Sequence, residues 1–273
     1  MSELSDYVDA LTRIAREAGQ LVMRGYRRDT RVTKKGEIDL VTEYDLASEA
    51  LITEQLARAL PGLPVVGEEA QGKRVIERGD EGLRLFVDPI DGTTNFAHGH
   101  PFFAVSLGLC RGGTPLAGVI YAPALDLLWS GAVGEGAFRN GEACRVSASA
   151  TLRDALCATG FGYDVVGAGD DNVAEFRLVQ SRCRAVRRCG AAAIDLALVA
   201  DGTYDGYWEF MLQPWDVAAG AALVLAAGGR VSDFDDRALD VHRGAVVASN
   251  RLVHAPLRET LAEVRRGKPV PTR

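Results

Sequence analysis

The chain has 273 residues, 47% of them hydrophobic and 25% charged, and a formal net charge of −6 at pH 7. That composition is ordinary for a globular protein, and the acidic balance argues against general binding to nucleic acid or anionic membranes, which needs an excess of Lys and Arg. No apolar run approaches the roughly 20 residues that span a bilayer, and the start, Met-Ser-Glu-Leu-Ser-Asp, lacks the basic and apolar parts of a signal peptide.

In chain order, Leu4, Val8, Leu11, Ala15, Ala18 and Val22 recur at helical spacing and predict a packing helix. Lys34 to Asp39 is polar, holds a Gly and reads as a loop. After Leu40-Val41-Thr42-Glu43-Tyr44-Asp45 a second helix is expected, ending near Leu60 before Pro61-Gly62. Pro64 to Glu69 reads as a short strand delivering carboxylates, Glu68 inward and Glu69 toward water. Leu83 to Val87 is an apolar run that predicts a buried strand with Asp88 and Asp91 at its end. Pro89 has no N–H, so the ladder is expected to stop there. Gly92 permits a tight turn, and Thr93-Thr94-Asn95 read as the start of a helix.

Phe103 to Cys110, Ala117 to Tyr121 and Leu127 to Ala132 read as strands, and Asn140-Gly141 is a hairpin signal, so residues 103–146 predict an antiparallel meander. The second half is mixed: a strand at 155–160, helices at 171–182 and 190–201, and a strand at 204–209. A helix over 214–227 closes on Gly228-Gly229, followed by strands near 230–234 and 245–249 and a last helix from about 253. One domain is expected over 1–273, with halves of about 1–145 and 146–265 and a frayed basic tail from Arg265 to Arg273. The five cysteines are scattered without a Cys-x-x-Cys and read as free, buried thiols in a reducing cytoplasm.

A second acid lies at an unusual place. Asp216 sits in the first turn of a helix that is otherwise apolar from Val217 onward. A carboxylate there stabilises the helix dipole; at the mouth of a buried helix it also calls for a counter-charge. Glu68, Asp88, Asp91 and Asp216 form the candidate inward set. Four such acids repel one another unless divalent cations sit between them, and all-oxygen ligation suits Mg²⁺, Mn²⁺ or Ca²⁺ rather than zinc. His98 and His100, in a Gly/Pro loop, read as structural or solvent-facing rather than as ligands.

These segments resemble the inositol monophosphatase family of lithium-sensitive, Mg²⁺-dependent sugar phosphatases. The resemblance is carried by Gly67-Glu68-Glu69, by Asp88-Pro89-Ile90-Asp91-Gly92-Thr93-Thr94-Asn95-Phe96 and by Trp215-Asp216-Val217-Ala218-Ala219-Gly220, in order and at family-like separations. It covers residues 7 to about 262. It implies an α/β fold, a layered αβαβα sandwich, usually dimeric. It implies hydrolysis of inositol monophosphate or a related polyol or sugar phosphate by direct attack of metal-activated water, in the cytoplasm. Two or three Mg²⁺ ions are implied. Glu68, Asp88 and the Ile90 carbonyl would hold one, Asp88, Asp91 and Asp216 a second, and Glu68 with water a third. Thr93, backed by Asp45, would orient the attacking water. The N–H groups of Gly92 and Thr93 would cradle the phosphate, and Asp91, Ala192 and Glu209 would meet the substrate. For Glu209 the plain alternative is an exposed acid at a strand end. Thr159-Gly160-Phe161-Gly162 lacks a serine that some animal members carry, which loosens the implied preference for inositol. Lys35 and Asp39 would lie in a metal-dependent loop.

Other readings stay open. A haloacid-dehalogenase-type hydrolase needs two Asp two positions apart, and here the spacing is three, with Pro89 between. Within the superfamily, histidinol phosphate, fructose bisphosphate and 3′-phosphoadenosine nucleotides are alternative substrates. A regulatory binding role is a third reading, with Arg182, Arg184, Arg187 and Arg188 as a docking or phosphate-facing patch, or more simply a strand edge or dimer rim.

Overall fold

The computed structural model describes residues 3–28, 32–34, 40–71, 81–162, 171–266 and 270. Helix α1 (Glu3–Met23) is followed by a two-stranded hairpin of β1 (Val32–Lys34) and β2 (Leu40–Thr42), then α2 (Glu43–Ala59), β3 (Val65–Gly67) and the single turn α3 (Glu68–Gln71). Next come β4 (Leu83–Asp91), α4 (Thr93–Ala97), β5 (Ala104–Arg111), β6 (Thr114–Ala122), β7 (Leu127–Ala132), β8 (Gly136–Arg139) and β9 (Glu142–Cys144). The second half holds β10 (Leu156–Thr159), α5 (Val173–Arg182), β11 (Ala185–Arg187), α6 (Ala192–Ala200) and β12 (Gly206–Phe210). It ends with α7 (Pro214–Ala226), β13 (Arg230–Ser232), β14 (Ala245–Ser249) and α8 (His254–Val264).

One sheet runs β3-β4-β5-β6-β7-β8-β9, the other β11-β10-β12-β14-β13. Strand alternation sorts their side chains into layers. Leu85 and Val87 face α1 and α2, whereas Phe86 faces α6 and α7. In the second sheet Ala158, Tyr207 and Val246 join that same middle core, while Cys157, Trp208 and Val247 face the outer side, where Val179 of α5 and Leu257 of α8 pack. The result is helix, sheet, helix, sheet, helix: the αβαβα order. The expected meander is present from β5 to β9, and its last turn places Asn140 and Gly141 at φ 51° and 86°, the left-handed pair that a two-residue hairpin requires.

Two glycines let α7 lie flush on the first sheet. Gly108 and Gly118 pair across β5 and β6. A Cβ on Gly108 would lie 2.5 Å from Ala218 Cβ, and one on Gly118 would collide with the backbone carbonyl of Ala219. On the helix's other side a Cβ on Gly220 would collide with Leu196 of α6. Overpacking a filled core costs roughly 1–3 kcal/mol, so Gly118→Ala is expected to lower the free energy of unfolding by that amount, read as a lower urea midpoint at unchanged slope. A variant of unchanged stability contradicts the packing account.

Some expectations need correction. β4 does not stop at Pro89 but continues to Asp91, with a register shift between Asp88 and Asp91. The missing N–H is accommodated in that irregularity rather than by ending the strand. The frayed tail does not begin at Arg265. That side chain is buried, its Nη1 lies 2.8 Å from Glu175 Oε1, and its guanidinium stacks over Phe210. Lys34 closes β1 instead of opening a loop, while Lys35 and Asp39 lie outside the described residues. All five cysteines are free, but Cys144 and Cys189 are only half-buried.

One buried histidine gives the fold a pH dependence. His254 is fully buried, with Nε2 2.9 Å from Ser232 Oγ and Nδ1 2.9 Å from Ser249 Oγ. Burial, then the nearby Arg230, pushes its pKa from 6.5 down to about 4. The unfolded chain takes up the proton first, so this contribution to stability is whole above pH 6.5 and lost as pH falls toward 4. Urea midpoints of the wild type and His254→Asn should therefore converge as pH falls through that window. A difference that stays constant with pH contradicts it.

Candidate active site

The register shift in β4 shapes the site. In a regular strand Asp88 and Asp91, three apart, would point to opposite faces. The irregularity between them restores their phase, and both line one open cleft. The same cleft is lined by Glu68, Ile90, Gly92, Thr93, Ala192, Glu209 and Asp216. Asp45 is not on its wall. It is fully buried just behind, where its Oδ1 lies 3.0 Å from Thr93 Oγ1. The Thr93 hydroxyl is also 3.0 Å from the Ile90 carbonyl oxygen.

Local structure explains how each group is held. Thr42 and Asp45 form a capping box at the start of α2, so Asp45 Oδ2 accepts from the Thr42 N–H at 2.7 Å while Oδ1 is left for Thr93. Buried Glu49 accepts from the N–H groups of Glu69 and Ala70 at 2.8 and 2.7 Å, which fixes the turn that carries Glu68. Glu69 lines a different groove with Leu46 and Thr53. Gly92 has φ 91°, and a Cβ there would lie 3.0 Å from the Phe102 carbonyl oxygen, so the turn into α4 needs glycine. Asn95 Nδ2 donates to the carbonyls of Phe102 (2.7 Å) and Cys189 (2.9 Å), tying that turn to the segment before α6. Asp91 Oδ2 in turn accepts from the Ala193 N–H at 2.7 Å. Asp216 Oδ2 accepts from the Gln213 N–H at 2.7 Å, so it caps α7 and lines the cleft at once. His98 and His100 are exposed and line no part of it.

The far end of the cleft differs in character. Glu209 is buried, not an exposed acid at a strand end, and it accepts a hydrogen bond from the Tyr207 hydroxyl. A Cβ on Gly160 would occupy the place of the Glu209 carboxylate. Arg188, Phe161 and Asp195 complete this end. The Arg cluster is therefore not one patch. Arg182, at the end of α5, pairs with Glu263 of α8 at 2.7 Å, and Arg184, next to the edge strand β11, pairs with Asp154 at 3.1 Å, whereas Arg188 faces the cleft.

The model of the inositol monophosphatase family matches residues 3–267. The chain is 39% identical over 262 residues to the inositol-1-monophosphatase of Synechocystis sp., covering 96% of this chain and 90% of that one. It is 41% identical over 244 residues to the Nus factor SuhB of Pseudomonas aeruginosa, covering 87% and 89%. The solved inositol monophosphatase of Anabaena (Nostoc) sp. superposes with a TM-score of 0.86 at 38% identity, over 99% of this chain and 98% of that one. The chain belongs to the inositol monophosphatase family. It is thus a phosphatase of that family, with the family's layered α/β fold.

The electrostatics of this inositol-monophosphatase-family cleft are those of crowded acids. Burial first, then Glu68, Asp91, Asp216 and Asp45, push the Asp88 carboxyl well above the usual range. Burial and Asp216 do the same to Asp91, against the pull of the Ala193 N–H. Burial holds Asp45 up at about 6 despite its bonds to Thr42, and Glu209 at about 7 despite Tyr207 and Arg188. Metal ions are part of the family's chemistry, and the donors here suit hard cations: carboxylates and carbonyls, with no His or Cys on the wall. Among the described residues no three His, Cys, Asp or Glu side chains are arranged to hold one ion by themselves. Bound ions would therefore also draw on backbone oxygens and water. Sequence reading treated Arg188 only as part of a patch and passed over Asp195. The signal for Asp195 was the one that marked Asp216, a lone carboxylate in an apolar helix.

Proposed function

We propose that this chain hydrolyses inositol monophosphate or a closely related polyol or sugar phosphate, with Mg²⁺ as cofactor. The observation that carries this reading is the convergence of Asp88 and Asp91 beside a Thr93 hydroxyl backed by Asp45. Glu68, Asp88 and the Ile90 carbonyl would hold a first ion and Glu68 a third, while Asp88, Asp91 and Asp216, not gathered about one point in this structure, would draw together on a second. Such cations neutralise phosphoryl charge and lower the pKa of water. The residues do the positioning. The Thr93 hydroxyl donates its proton toward Asp45 or the Ile90 carbonyl, which leaves its lone pairs to accept from the attacking water and orient it. The N–H groups of Gly92 and Thr93 cradle the phosphate, and Glu209 with the Ala192 backbone takes the leaving alcohol. No nucleophilic side chain is used, so no phosphoenzyme forms. Inhibition by Li⁺ is part of the proposal on family likeness.

The test is phosphate release from chelator-treated protein supplied with inositol 1-phosphate, histidinol phosphate, fructose bisphosphate and a 3′-phosphoadenosine nucleotide, with and without Mg²⁺. Activity should return with Mg²⁺ and be greatest on the inositol ester. Release indifferent to the chelator overturns the cofactor, and a higher kcat/KM on another ester moves the substrate to that class. The Nus-factor relative favours a second reading, a chiefly regulatory role. It is supported if Asp91→Asn, inactive as a phosphatase, still rescues a deletion strain.

A further inference from the structure

We infer that Asp195 is a specificity-determining residue that accepts a second hydroxyl of the leaving alcohol, beside the one taken by Glu209. The inference rests on the polyol-phosphatase reading and names what that site selects.

Asp195 is the one charged residue in α6, Ala-Ala-Ile-Asp-Leu-Ala-Leu-Val-Ala. It is 1% exposed, yet it lines the cleft together with Glu209 and Arg188. Its Oδ1 is buried without a hydrogen-bond partner. An unpaired buried acceptor of this kind has lost its water and gained nothing in return, so it is costly to keep. Its neighbours are differently placed. Asp91 holds the Ala193 N–H, Asp45 holds Thr42 and Thr93, and Glu209 holds the Tyr207 hydroxyl. The carboxylate left wanting a donor is thus at the leaving-group end, where Glu209 is its strongest charged neighbour. Burial and that neighbour hold the Asp195 carboxyl well above the usual range, with Arg188 opposing, so a donated hydrogen bond would relieve it.

The chemistry of the ligand follows from the mixture of groups. Glu209 and Asp195 accept, and Arg188 donates. A hydroxyl does both, so neighbouring hydroxyls satisfy all three side chains. An ammonium group would suit the two acids but not the guanidinium beside them. An alcohol bearing one hydroxyl or none would leave Asp195 as it stands. The site therefore selects a polyol with adjacent hydroxyls rather than an amino alcohol or a simple phenol.

The experiment compares kcat/KM of the Mg²⁺-loaded enzyme on inositol 1-phosphate, on phenyl phosphate and on an amino alcohol phosphate, for wild type, Asp195→Ala and Asp195→Asn. The ratio of inositol ester to phenyl ester is expected to fall about tenfold or more in Asp195→Ala, mostly through KM, because a site built to bond a hydroxyl discriminates strongly by it. Asp195→Asn, which keeps one acceptor and the side-chain volume, should fall less, and it carries the test if the alanine variant does not fold. Equal losses on both esters, or an unchanged ratio, overturn the inference, as does a loss confined to the amino alcohol ester. If the wild type hydrolyses none of the three with Mg²⁺, the proposed function itself has failed, a result distinct from an unchanged ratio.

Discussion

Asp91→Asn is expected to lower kcat by about 10³-fold or more while leaving the chain folded. Loss of several kcal/mol of charge stabilisation at the phosphoryl group translates into that factor. The fold should survive, because Asn keeps a carbonyl oxygen for the Ala193 N–H that Asp91 Oδ2 now accepts. Without cations the variant should melt at or above the wild-type temperature. The sign follows from the shift: folding raises the Asp91 pKa, through burial and then Asp216. A carboxyl raised on folding favours the folded state only while protonated, and that advantage is lost as pH climbs past the ordinary carboxylate range. The gain in melting temperature should therefore grow from acid to neutral pH. Near-normal kcat in this variant would remove Asp91 from the proposed ligand set, and a collapse in melting temperature would make it a structural acid.

Thr93→Ala is expected to lower kcat by about 10²–10⁴-fold with little change in KM. That is the usual worth of a group that handles a proton or orients a nucleophile. The hydroxyl lies 3.0 Å from both Asp45 Oδ1 and the Ile90 carbonyl oxygen, and alanine removes both contacts without disturbing the turn that Gly92 makes. Thr93→Ser, which keeps the hydroxyl, should recover most of the rate. Steady-state measurement of the pair checks this. A rise in KM at constant kcat would place Thr93 in binding instead.

Legibility from the sequence followed the physics of each signal. The apolar run Leu83 to Val87, the Asn140-Gly141 turn and the Pro214 start of α7 are local signals, and the structure carries a strand, a hairpin and a helix at those places. The convergence of Glu68, Asp88, Asp91 and Asp216 on one cleft is not local. Composition and spacing grouped these four acids as an inward set in want of a counter-charge, and family resemblance supplied their assignment to particular ions. Pro89 shows how a sound local rule meets a wider constraint. It lacks an N–H, but the neighbouring β5 pairs on either side of it, so the strand shifts register instead of ending. Arg265 shows the reverse: a basic terminal stretch reads as solvent-facing until Glu175 and Phe210, distant in sequence, are placed beside it. Asp195 carries the same local signal as Asp216, a lone acid in an apolar helix, but what it faces is settled only by residues distant in sequence such as Glu209.

The flush seating of α7 on Gly108 and Gly118 separates two kinds of change. The gap between Asp216 and the acids of β4 is set where main chain meets main chain, so exchanging aliphatic side chains elsewhere in the core has little purchase on it. Glu209, Asp195 and Arg188 reach the opposite rim on their own side chains. On the proposed function, variation there would redirect the enzyme among alcohols while the hydrolytic apparatus keeps its dimensions, which would make that rim the place to begin redesign.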